Sequence, residues 1–269
     1  FWKAWQTAPG SIITEEIYKT AKSKELDLLA LTSATEETPK GINDRFGHVL
    51  NEAQNQGINI EIRGNNFFII QGELGPLGIL KSSLVPTVED NQRTDIFVLG
   101  NYLDFDCQKR RLTTKEAISM AKASNSLVFM KPSGLFGSKK SVEKYGGSIN
   151  GVFLSSEATQ KQNEETIFIL DEIEQQWVKI PAIPVSGAHT IKGIGDGYFD
   201  LSSINLETNN EEEVKNGLRY ILNSEDFAPG NIKYASSISK LYWKVPFMFI
   251  ETVREKLGMN DEYGLRTRE

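Results

Sequence analysis

Short apolar runs separated by stretches of helical period constrain this chain more than any other feature. "LDLLALTS" (26–33), "SLVFMKP" (126–132), "INGVFLSS" (149–156) and "PAIPVSG" (181–187) are compact apolar runs stopped by small or breaking residues, as buried strands are. Between them lie segments with helical spacing. Ile17 and Ala21 share a face behind Thr14, Glu15 and Glu16, and "INDRFGHVLNEAQNQG" (42–57) closes on Gly57. "TTKEAISMAKASN" (113–125) starts at a Thr cap with Glu116 in its first turn. Ile167, Leu170, Ile173 and Trp177 recur near one helical period, and Val214, Leu218 and Ile221 follow the acidic start "NNEEE".

Further strands are expected in "INIEIRG" (58–64), in "NNFFIIQGELGPLGILKSS" (65–83), which reads as two strands around a glycine-rich turn, and in "DIFVLGNYL" (95–103). Strand and helix alternating in this way predict an α/β fold with a largely parallel sheet. The number of units favours a closed barrel over an open sheet. A tail, "KYASSISKLYWKVPFMFIETVREKLG" (233–258), carries Phe249, Val253 and Leu257 on one helical face beyond Pro246 and reads as a C-terminal helix packed on the barrel.

The chain has 269 residues and a formal net charge of −6, which weighs against broad electrostatic binding of nucleic acid. No apolar run approaches the roughly 18–20 residues of a membrane span. Cys107 is the only cysteine, so neither an intrachain disulfide nor a thiolate metal cluster is available, and a cytoplasmic setting is the plain reading.

In parallel α/β proteins, reactive groups sit just beyond the strand C-termini. Those positions hold Lys3 and Trp5, then Ser33, Ala34 and Thr35, then Glu73 and Gly78 around the glycine turn. Lys131 follows "LVFM", Ser155 and Ser156 follow "GVFL", and Gly187 and His189 follow "IPV". His48, the other histidine, lies within an expected helix and reads as a helix-face residue. The serines lack a partner histidine nearby in the pattern, so a hydrolytic triad is not expected. "IKGIGDG" follows no strand and lacks the Lys-Ser/Thr pair of a phosphate loop, so its glycines read as a turn.

The order of these motifs over about residues 1–220 resembles the PHP (polymerase and histidinol phosphatase) superfamily of metal-dependent phosphoesterases. "KAWQTAPGSIITEEIYKTAKSKELDLLALTSA" follows the family's HxHT strand, helix and "TDH" strand. "QGELGPLGIL" stands where a G-x-E strand and a single His belong, and "TKEAISMAKASNSLVFMKPSG" matches the helix leading to "AHP". "SGAHTIKGIGDGYFD" matches the final "SDAH…IG-x-G".

The resemblance implies a distorted (β/α)7 TIM-type barrel over 1–225, with residues 226–269 as a helical extension. It also implies that the metal ligands are mostly gone. The HxH pair corresponds to Lys3 and Trp5, the Asp-His to Ser33 and Ala34, the single His to Gly78, the "HP" His to Lys131, and the "SDAH" Asp to Gly187. Glu73 and His189 alone remain as metal or catalytic candidates, with Glu36 and Glu37 as the nearest replacement acids. Two ligands cannot hold a multinuclear centre, so no cofactor is expected unless other ligands substitute.

The expectation is a catalytically degenerate protein, a pseudo-phosphoesterase acting as a binding or assembly module for a protein partner or a small anionic ligand. Lys3, Lys131 and His189 would form a metal-free pocket for a phosphate or carboxylate. The alternatives are a divergent metal-dependent phosphoesterase with a reduced site around Glu73 and His189, and an RNA-associated metal-free barrel resembling the barrel subunit of ribonuclease P.

Overall fold

The computed structural model describes residues 13–34, 37–38, 41–42, 45–90, 92–100, 112–131, 137–155, 160–174, 180–185, 198, 204–206 and 208–224. The helices are α1 (Ile13–Ser23), α2 (Arg45–Asn55), α3 (Thr114–Ala123), α4 (Lys139–Tyr145), α5 (Gln160–Glu174) and α6 (Glu211–Asn223). The strands are β1 (Leu28–Ala34), β2 (Glu37–Thr38), β3 (Gly41–Ile42), β4 (Ile60–Gly64), β5 (Phe67–Gly72), β6 (Gly75–Glu89), β7 (Gln92–Leu99), β8 (Leu112–Thr113), β9 (Leu127–Met130), β10 (Gly151–Ser155) and β11 (Ala182–Val185).

All but β2 and β3 join one sheet in the order β11-β10-β9-β7-β6-β5-β4, while β1 and β8 also pair with β6. The 15-residue β6 is the spine of this arrangement. Its first half pairs with β5 through Leu77↔Ile70 and its second half with β7 through Val85↔Ile96. Ser82–Leu84 pair with β7 and β1 at once, so β1 must lie along the opposite edge from β7. The missing N–H of Pro86 falls where β6 pairs with neither β1, which ends at Leu84, nor β8, which begins at Thr87.

This is a correction of the expected (β/α)7 barrel. The sheet is mixed, and its end strands β4 and β11 do not pair among the described residues. The cause lies in two tight hairpins. Gly72 pairs with Gly75 across a turn in which Gly75 has φ +96°, and Glu89 pairs with Gln92 beside Asp90 at φ 49°. Connections this short can only join antiparallel strands. The strand positions in 58–103 therefore agree with expectation, but β5 and β7 run against their neighbours where a barrel needs them parallel. The expected C-terminal extension, 226–269, lies outside the described residues.

Alternation along the strands gives the sheet two buried faces. On one, α1 and α2 cover Phe68, Ile70, Leu77 and Ile79 with Ile17, Ala21, Phe46 and Val49. On the same face α3, α4 and α5 cover Val85, Ile96, Val98, Met130 and Val152 with Ala117, Ile118, Val142 and Leu170. On the other, α6 lays Val214, Leu218 and Leu222 over Phe67, Ile69, Leu80, Leu127 and Phe129. Each such side chain taken fully out of water contributes about 1.5–3 kcal/mol, and Phe67, Phe68 and Leu80 are wholly buried.

Capping sets where two of the helices begin. Thr113 accepts from the Glu116 N–H at 3.2 Å, and Glu116 accepts from the Thr113 N–H at 2.9 Å. Asn210 and Glu213 form the same reciprocal pair at the start of α6. No helix among the described residues is long and apolar enough to cross a membrane.

Candidate functional site

β7 runs antiparallel to both β6 and β9, so β9 runs with β6, and β10, β11 and β1 run the same way. The C-terminal ends of these strands form one rim of the sheet. Lys131 lies on it, directly after β9.

Phe129 and Lys131 alternate onto the α6 face, as do Asp95 and Phe97 of β7. The Lys131 Nζ stands 5.5 Å from the centre of the Phe97 ring, within reach of a cation–π attraction. Phe97 tilts against Phe153 with centroids 4.6 Å apart, and Phe153 stacks on Phe129 at 5.1 Å and 17°. The pairing Ile96↔Met130 brings Asp95 level with Lys131. Asp95 is buried and accepts two hydrogen bonds from Arg93, Nε to Oδ1 at 2.8 Å and Nη2 to Oδ2 at 3.3 Å. Lys131, Arg93 and Asp95 therefore share one face of the sheet beside a cluster of three phenylalanines. Lysine and arginine side chains are the groups that hold phosphate and carboxylate oxygens.

At the other end of α6, charge serves packing. Lys215 is 2% exposed and contacts Glu211 at 3.3 Å and also Glu212. Glu211 accepts from both the backbone N–H and the Nδ2 of Asn66, each at 3.0 Å. This network ties the helix N-terminus to the β4–β5 turn.

The described sequence candidates separate in space. Glu73 is exposed on the β5–β6 turn, at the end of the sheet where β1 begins, and it raises the pKa of Lys19 only as a minor contributor. Most of the length of β6 lies between it and Lys131, because β5 runs antiparallel and its C-terminus is on the opposite rim. Gly78 sits in mid-sheet between Leu28 and Ile69, where a Cβ would come within 2.9 Å of Leu28 and 3.1 Å of Phe67. Ser33, Ala34 and Ser155 end their strands on the Lys131 rim. His48 is exposed on α2. Lys3, Trp5, Thr35, Glu36, Ser156, Gly187 and His189 lie outside the described residues, although Glu37 forms part of β2.

The described residues among these do not fit the multinuclear metal centre that the resemblance would imply. Gly78 has no room for a side chain, Glu73 is on the far rim, and Lys131 would bring an ammonium into the cation site. Arg93, Asp95 and the three phenylalanines were not singled out by sequence reasoning. For Arg93, Asp95 and Phe97 the only signal is the alternation in "RTDIFVL", which puts them on one face of a strand. No protein-family model and no curated protein sequence matches the chain.

Proposed function

We propose that this chain is a binding module for a small anionic ligand, held without metal at the C-terminal rim of β9 and β10. The observation that carries this reading is the Lys131 ammonium poised over Phe97 at the end of a parallel strand, with Arg93 on the neighbouring strand and the Phe129–Phe153 stack below. Lys131 and Arg93 are cationic groups of the kind that bind phosphate or carboxylate, and the half-buried rings of Phe97 and Phe153 lie beside them for the body attached to it. This retains Lys131 from the expected anion pocket and replaces Lys3 and His189 with Arg93 and the neighbouring rings of Phe97 and Phe153.

Calorimetric titration with inorganic phosphate and with a nucleoside monophosphate tests the reading. The expected result is saturable binding, tighter for the nucleotide, that falls at least tenfold in Lys131→Met. An absence of binding up to millimolar ligand, or binding indifferent to that substitution, would overturn it.

A further inference from the structure

β4 is the last strand in the sheet order, and among the described residues it pairs only with β5. The Gln71 N–H donates to the Asn59 carbonyl at 2.8 Å. The hydrogen-bonding groups of Asn59 and, two residues on, Glu61 therefore face β5, and those of Ile60 and Ile62 face outward. The Ile62 side chain is 55% exposed, whereas its partner across the ladder, Phe68, is wholly buried.

Glu61 and Arg63 project from the opposite face of the strand. The Arg63 Nε and Nη2 donate to the two Glu61 oxygens, each at 2.8 Å, and Nη1 donates to the Leu206 carbonyl at 2.9 Å. The anchor to Leu206 fixes the Arg63 guanidinium in position beside the edge.

Charges on an edge strand ordinarily guard it against pairing, and the bulge after Ile62 is another such device. A strand carrying charge of one sign repels a second copy of itself, whereas β4 carries both signs, at Glu61 and Arg63. If a second β4 lies antiparallel about a two-fold axis at Ile62, Glu61 of each copy stands opposite Arg63 of the other. Ile62 then meets its own equivalent with both outward groups paired, and Ile60 faces Gly64, which has no side chain to obstruct it. Opposite charges across an antiparallel pair stabilise it, and an isologous contact of this kind closes at two copies.

We propose that the outer edge of β4 is a self-association surface on which a second copy of this chain adds its own β4, extending the sheet across the two-fold axis. Light scattering and sedimentation of the full chain over a concentration series test this. The expected result is a reversible rise from the 30.1 kDa chain mass to twice that value, with amide exchange at Ile62 slowing as the dimer forms.

Glu61→Arg would set like charges opposite each other and weaken dimerisation at least tenfold. Ile62→Pro would remove an outward N–H while sparing the bonds to β5, and it should abolish the dimer. Circular dichroism reports whether each variant folds. Should the proline variant fail to fold, Glu61→Arg decides, because it alters a half-exposed side chain. A chain that stays monomeric at every concentration overturns the proposal, as does a dimer indifferent to Glu61→Arg.

Discussion

Tyr145 donates its hydroxyl to both oxygens of Glu89, at 3.1 and 3.0 Å, fastening the end of α4 to the last residue of β6. Lys144 completes the contact with Glu89 from the same turn. Burial pushes the Glu89 carboxyl up, but the hydrogen bonds from Lys144 and Tyr145 outweigh it and leave its pKa below the ordinary value of 4.5. Burial, followed by the bond to Glu89, raises the Tyr145 hydroxyl.

A depressed carboxylate pKa stabilises the fold at pH values above the ordinary one, and that contribution disappears as pH falls through the folded value. Urea denaturation at a series of pH values below 4.5 should therefore show part of the acid loss of stability tied to Glu89. Glu89→Gln should be less stable than the parent at neutral pH, and the gap should narrow with acidification. A gap that stays constant would remove Glu89 from the acid response.

Lys131 and Phe97 should couple energetically. In a double-mutant cycle of Lys131→Met and Phe97→Leu, followed by urea denaturation, the expected coupling is about 0.5–1 kcal/mol, the size of a partly exposed cation–π contact. A coupling indistinguishable from zero would mean that the ammonium and the ring do not interact in solution.

Two glycines make a graded pair. At Gly151 a Cβ would meet the Pro181 carbonyl oxygen at 2.7 Å, and backbone cannot yield as a side chain can. At Gly78 the nearest atom is a Leu28 methyl at 2.9 Å, which can rotate away. Gly151→Ala should cost about 2–3 kcal/mol and Gly78→Ala about 1 kcal/mol, as overpacking does. Thermal melts of the two variants should preserve that order.

Loss of either capping box should cost roughly 1 kcal/mol. Thr113→Ala and Asn210→Ala should each lower the urea midpoint with little change in slope, since both caps stand at exposed helix starts. An unchanged midpoint would show that tertiary packing alone sets where these helices begin.

Local elements are written into neighbouring residues, because apolar period, caps and turn residues act over short range. The strand "LVFM", the Thr113 cap with Glu116, the Asn210 start of α6 and the glycine turn at Gly72–Gly75 were all legible in this way. Strand direction and the neighbours of each strand come from the packed sheet. A strand's apolar pattern reads the same whether its neighbour runs with it or against it, so the hairpins that set β5 and β7 antiparallel to β6 opened an expected barrel into a mixed sheet. That reversal carried Glu73 to the far rim and set Arg93, Asp95 and Phe97 beside Lys131. Residues far apart in the chain share a site only through sheet register, and register is a property of strands paired together rather than of any one segment.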